Sequence, residues 1–167
     1  MIVRFASPAD AAALSALALK TFNDAFMPFN REEDMVAYTK DAFTAAQQLR
    51  EIEDPMIVTL VVEEGDGALA AYAQVRPTPG APHGEVELAR FYVDQVHHGR
   101  GIAQSLMAAV DAAARRLGAR RIWLGVWERN HRAIAFYRKC GFEQCGTHPF
   151  LLGTDLQTDW DMVREVV

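Results

Sequence analysis

A chain of 167 residues, 50% hydrophobic and 23% charged, is long enough to bury one core without metal or disulfide staples, and too ordinary for disorder or collagen-like repetition. With 22 Asp and Glu against 17 Lys and Arg, its net charge of −5 argues against a general nucleic-acid binder, which must neutralise phosphates. No apolar run approaches the roughly 18 residues of a membrane span, and Met1-Ile2-Val3-Arg4-Phe5 lacks the pattern of a secretory signal, so a cytoplasmic protein without a membrane partner is expected.

Ile2 to Phe5 alternates like a short strand, and Ser7-Pro8 reads as a cap and first residue of an Ala/Leu-rich helix from Ala9 to about Thr21. Asn30 with Glu33 and Thr44 with Gln47 are capping-box patterns, predicting two short helices between Arg31 and about Ile52 with a break near Phe43. The period then changes. Met56 to Glu63 and Ala68 to Arg76 read as strands around the hairpin signal Gly65-Asp66-Gly67, and Pro77 to Gly84 as a loop. Glu85 to Val93 alternates as a strand. Gly101 to Leu117 is periodic at helical spacing, with Gly118 as a natural C-cap. Ile122 to Val126 is a strand and His131 to Cys140 a helix stopped by Gly141. Phe142 to Thr147 and Trp160 to Val166 should close the sheet around Gly153-Thr154-Asp155. No internal repeat or linker interrupts this, so residues 1–167 are expected to form one mixed α/β domain.

The segment Phe91 to Ala103 carries the chemistry. A strand runs out, and a loop bearing Gly99 and Gly101 opens directly into a long helix. Such glycines let the backbone approach a ligand, and the first helical N–H groups lack partners of their own, which together favour a phosphate or pyrophosphate. Tight strand-to-helix packing is the alternative use of the same glycines. No Lys-Ser/Thr follows for a P-loop and no Gly-x-Gly-x-x-Gly for a dinucleotide, so coenzyme A or a similar carrier is the better fit.

The loop His98-Gly99-Arg100-Gly101-Ile102-Ala103 resembles the Gln/Arg-x-x-Gly-x-Gly/Ala pyrophosphate motif of the GNAT superfamily of acetyl-CoA-dependent N-acetyltransferases, with His98 where Gln or Arg is usual. The strand Glu87 to Val93 and the stretch Asn130 to Phe142 are similar to that family too, in its order. Thr21 to Phe26, Ile122 to Asn130 and the tail from Gly153 to Asp159 look like the PaiA-type spermine/spermidine acetyltransferases. The resemblance implies a mixed central sheet of six to seven strands, splayed at the cofactor site and flanked by four to five helices. It also implies acetyl-CoA as cosubstrate, and direct transfer to a primary amine in a ternary complex without a metal.

The site roles follow from the same resemblance. Backbone groups of Phe91 and Val93 would meet the acetyl carbonyl and the pantetheine arm, while His98, Gly99, Arg100, Gly101, Ile102 and Ala103 hold the pyrophosphate. Asn130 binds the cofactor or simply caps its helix. Tyr137 is the candidate general acid for the departing thiolate, although a Tyr beside Phe136 on an apolar face is also a core residue. Glu87 is the candidate base, with Glu85 its rival two residues away on the same strand face; a solvated or salt-bridged carboxylate is the competing reading. The histidines show no metal spacing, and His148 is a candidate for the acceptor pocket. Trp123, Trp127 and Trp160 read as core or pocket wall, Cys140 and Cys145 as small semi-buried residues rather than a redox pair. The run Glu32-Glu33-Asp34 is a solvated first turn or, if it faces the cleft, an attractor for a polyamine.

Charge is unevenly spread. Gln95 to Lys139 holds nine Lys/Arg and two Asp/Glu, whereas the remainder holds eight against twenty. That polarity suits an anionic cofactor and a cationic acceptor. A polyamine is the leading acceptor, with protein or peptide amines and other small amines behind it. A non-catalytic acyl-CoA-binding regulator is the competing class, and homodimerisation is left open.

Overall fold

The computed structural model describes residues 1–78 and 80–167; Pro79, in the expected loop after the second hairpin strand, lies outside them. Strand β1 (Ile2–Phe5) leads through a 3-10 turn at Pro8–Asp10 into helix α1 (Ala11–Phe26), one turn and more longer than its apolar pattern predicts. Helices α2 (Glu32–Ala42) and α3 (Ala45–Glu53) follow, broken at Phe43 as expected. Thr44 caps α3, its hydroxyl accepting from Gln47 N–H at 3.1 Å. The Asn30 cap does not form. Arg31 occupies the cap position of α2, while Asn30 Nδ2 donates back to Phe26 O at 2.8 Å and closes the turn after α1.

Strands β2 (Val58–Glu63), β3 (Leu69–Pro77) and β4 (Glu85–Val93) come next, then helix α4 (Ile102–Arg116), strand β5 (Arg121–Trp127), helix α5 (His131–Lys139), and strands β6 (Glu143–Leu152) and β7 (Asp155–Glu165). Among the described residues, seven strands make one sheet in the order β1-β2-β3-β4-β5-β7-β6, antiparallel except for the parallel β4–β5 pair. The closing hairpin is far longer than its expected halves, since β6 runs through His148-Pro149 to Leu152. Proline is admissible there because β6 pairs with β7 alone and its outer edge needs no N–H.

Two apolar layers sandwich the sheet. Leu106, Val110 and Ala114 of α4 and Ile134 of α5 pack on Val75, Leu88, Ile122 and Leu124. On the other face, Leu14, Ala18 and Phe22 of α1 with Met35 of α2 pack on Val61 and Tyr72. Strand β4 changes sides partway along. Val75 pairs with Leu88 and Gln74 with Arg90, so Ala89 is an extra residue, a bulge. Val86 and Leu88 therefore share the α4 face with Phe91 and Val93, an inversion of parity that simple alternation would not allow.

Candidate active site

Strands β4 and β5 pair over only three residues, Glu85–Glu87 against Arg121–Trp123. Beyond Trp123, β5 stays with β7 through Trp127 and leaves β4 behind. The opening is a cleft of about 880 Å³ lined by β4 and β5, the loop before α4, α5, and the C-terminal part of α1.

Which β4 groups face the opening follows from the ladder. Asp94 N–H donates to Ala70 O at 2.9 Å, and backbone direction alternates along an antiparallel pair. Tyr92 and Arg90 thus turn their backbone groups to β3, whereas Phe91 and Val93 turn theirs to the cleft. The ring of His98 meets Val93 O at 2.9 Å. Its role here is to tie the loop to the end of β4, since the carbonyl accepts and His98 Nε2 donates.

Gly99 and Gly101 have φ of 80° and 77°, the left-handed region that favours glycine, and a Cβ at either position would meet nothing nearby. Gly101 caps α4 without a side chain, and the earliest amide of that helix bonded to it is Ser105 N–H, to Gly101 O. The N–H groups of Ile102, Ala103 and Gln104 therefore point out of the helix start into the cleft, where they fit an anionic pyrophosphate. His98, Gly99, Gly101, Ile102 and Ala103 all line the cleft, as do Phe91, Val93 and Asn130; Arg100 does not, and its guanidinium turns to His97 Nδ1 at 3.4 Å. Asn130 also caps α5, accepting from Ala133 N–H at 3.3 Å. Arg129, Arg132 and Lys139 add positive charge to the lining.

Tyr137 reaches the cleft from α5, its ring packed edge-on against Phe91 and Phe142 with centroids 6.2 and 5.8 Å away. Burial pushes its phenol well above the ordinary range, so it holds its proton at neutral pH. Cys140 does not line the cleft among the described residues, and burial pushes its thiol up, against nucleophilic use.

Glu87 does not face this chemistry. Its carboxylate accepts from Arg76 Nε at 2.9 Å, its directly paired neighbour on β3, and it is absent from the described lining. Glu85 sits 3.9 Å from Arg121. Their face is the one opposite Leu88, and the bulge gives the following stretch of β4 to other residues. Asp34 likewise does not attract a ligand to the cleft: it is buried, and its Oδ1 accepts from Thr154 N–H at 2.8 Å and Thr154 Oγ1 at 2.9 Å, tying α2 to the β6–β7 turn. These bonds hold its carboxyl below the ordinary range.

At the far end the wall is aromatic and acidic. Trp127 lies 5.7 Å from Phe26 and 6.1 Å from Phe29, and Tyr38 meets Phe150 at 5.3 Å, centroid to centroid. Asp159 on β7 lies among them, directly opposite Trp127, and burial pushes its carboxyl above the usual range. Of the other tryptophans, Trp160 packs against the α4-side core and Trp123 donates to Thr78 Oγ1 at 2.7 Å. Sequence reasoning read Trp127 as core or pocket wall, and Trp127 does line the cleft; it gave no role to Asp159, which enters only within the tail that carries the resemblance, or to Phe29, Tyr38 and Phe150. One local signal was present: Gly125, an isolated glycine inside a strand, marks a close approach.

A model of the acetyltransferase (GNAT) family matches residues 19–142. An uncharacterised N-acetyltransferase of Mycobacterium tuberculosis is 36% identical over 158 residues, 95% of this chain and 99% of that protein. The aminoglycoside N(6')-acetyltransferase type 1 of Stenotrophomonas maltophilia is 30% identical over 149 residues, 85% of this chain and 86% of its own. Among solved structures, the PaiA N-acetyltransferase of Thermoplasma acidophilum in complex with coenzyme A superimposes with a TM-score of 0.81 over 99% of both chains, at 19% identity, a likeness of fold.

Proposed function

This chain belongs to the acetyltransferase (GNAT) family, and from that premise we propose that it moves the acetyl group of acetyl-CoA to a primary amine on a cationic, polyamine-like molecule, with spermidine and spermine the first candidates. The observation that carries the acceptor class is Asp159, a carboxylate set among the rings of Trp127, Tyr38 and Phe150. A carboxylate inside an aromatic wall attracts an ammonium by charge and by the ring faces together.

Bound acetyl-CoA would supply an activated acetyl group as a thioester. The chain does the rest. The N–H groups opening α4 hold the pyrophosphate, and Arg129, Arg132 and Lys139 complement the cofactor's negative charge. The backbone groups of Phe91 and the N–H of Val93, which β3 leaves unpaired, would receive the pantetheine arm and the acetyl carbonyl like an added strand, while Val93 O stays with His98. Tyr137 gives its proton to the departing thiolate; a phenol that burial keeps protonated suits that task. Asp159 seats the ammonium of the acceptor. Glu87 keeps Arg76 and has no part in this scheme.

The test is a panel: purified protein with acetyl-CoA and spermidine, spermine, simple monoamines or peptides, followed by thiol release and mass of the product. Transfer to polyamines ahead of monoamines supports the proposal. Transfer to peptides alone refutes the acceptor class, and acetyl-CoA binding without transfer to any amine refutes the enzymatic reading in favour of a regulator.

A further inference from the structure

An ammonium must lose a proton before its nitrogen can attack, and neither carboxylate of β4 lines the cleft among the described residues. A second cluster lies on the opposite wall. Register places His148 on β6 directly across from Asp159 on β7, and Asp161 across from Gly125 on β5, so that all four share one face of the sheet. His148 Nδ1 is 2.6 Å from Asp161 Oδ1. A carboxylate only accepts, so Nδ1 carries a hydrogen, and in the neutral ring Nε2 is then the nitrogen with the lone pair. That Nε2 is 3.7 Å from Asp159 Oδ2, close enough for a proton to pass with a small shift of either side chain.

Gly125 makes the arrangement possible. A Cβ there would sit 2.8 Å from His148 Cε1, 3.4 Å from Nε2 and 3.6 Å from Asp159 Oδ2, so the ring occupies the space that any other residue would fill. Gly125 and Asp159 line the same cleft as Tyr137. The His148 side chain is 37% exposed, which gives a proton a way out to solvent. Around the cluster, Glu128 after β5 adds negative field at Asp159, and Tyr38 on α2 shares its end of the cleft.

Resting on the amine-acetylation reading above, we propose that Asp159 and His148 form a proton relay, in which Asp159 touches the acceptor ammonium and His148, oriented by Asp161, draws the proton away through it. One N–H bond of the ammonium breaks, and its proton passes by Asp159 Oδ2 to His148 Nε2 and on to water. The freed lone pair forms the C–N bond at the acetyl carbon as the C–S bond breaks. The nitrogen's second proton, shed as the amide forms, replaces the one Tyr137 gives to sulfur. One proton is released per turnover.

The experiment compares wild type, His148→Gln and Asp161→Asn for transfer to spermidine from pH 6 to roughly pH 10, beside acetyl-CoA titration and melting curves. When the Asp161→Asn amide donates to Nδ1, the hydrogen moves onto Nε2 and the lone pair is removed without removing the ring; when it accepts instead, the charge that steadies the imidazolium is still gone. Both variants should bind acetyl-CoA as wild type does and lose about a hundredfold in kcat/KM at neutral pH. The loss should shrink toward wild type near pH 10, where roughly a quarter to a third of an alkyl amine is already unprotonated on its own, against well under about 1% at pH 7. A merely structural role would give one deficit at every pH, and that result, or a wild-type profile in both variants, overturns the relay alone. Absence of transfer by the wild type to any amine overturns it together with the reading it rests on.

Discussion

Replacing Tyr137 by Phe removes one oxygen and leaves the ring where it is. The ring's neighbours are Phe91, Phe136 and Phe142, at centroid distances of 6.2, 5.8 and 5.8 Å, and all three contacts survive the change. Each such pair contributes roughly 0.5–1.5 kcal/mol beyond its burial and none is lost, so the fold should keep its stability to within about 1 kcal/mol. What is lost is a proton at sulfur. General acid catalysis commonly supplies about a hundredfold or more, which is roughly 3 kcal/mol of barrier. Turnover should therefore fall about a hundredfold while the melting temperature and the affinity for acetyl-CoA hold, because the backbone amides of α4 and β4 proposed to bind the cofactor are untouched. Because burial pushes the phenol up, its own titration should put no alkaline limb on the wild-type profile through pH 9. Thiol release, calorimetric titration with acetyl-CoA and a melting curve read the three quantities separately. Equal turnover in Tyr137→Phe and wild type would remove the hydroxyl from the mechanism, and an equal loss of cofactor affinity would make it a binding group instead.

Other substitutions probe other parts of the argument. Gly125→Ala should remain folded, because the nearest obstacle is the movable end of His148 at 2.8 Å, yet lose about tenfold or more in kcat/KM as the ring is displaced; unchanged kinetics would show that the cleft does not need His148 in place. Asp111→Ala strips the carboxylate from Arg164 Nη2, 2.8 Å away, in a site where the guanidinium is 5% exposed. An uncompensated buried charge costs about 3 kcal/mol or more, so denaturant unfolding should shift by that amount, and a shift under about 1 kcal/mol would mean the pair is worth no more than a surface one. At the N-terminus, the hydrogen bond from Arg4 holds the Asp10 carboxyl down at about 2. Its folded value lies below the unfolded one of about 3.9, so its stabilisation is present above pH 4 and is lost as pH falls toward 2. Asp10→Asn should flatten that part of the pH–stability curve, and an unaltered curve would show that other carboxylates govern acid unfolding.

The sequence by itself determined the features that depend on neighbours a few residues apart. The glycine-bearing loop at Gly99 and Gly101, the open helix start after it, the Thr44 and Asn130 caps and the placement of Tyr137 on α5 were legible because caps, glycines and helical periodicity act within about one turn. So was the order of strands and helices. The charge contrast between residues 95–139 and the rest of the chain was also visible in the sequence. Pairing register was not. The extra residue at Ala89 inverts the faces of β4, and the facing of Arg76 with Glu87 across β3 and β4 withdraws the carboxylate that alternation alone made a base. The long closing hairpin was hidden by His148-Pro149, a dipeptide that reads as a break until an edge position makes the missing N–H harmless. That hairpin also brings His148 opposite Asp159 and sets Asp161 opposite Gly125, residues up to 36 apart in the chain. No local signal could assemble them, because cross-strand neighbours are chosen by the global pairing of a sheet, and a slip of one residue sends every side chain to the other face.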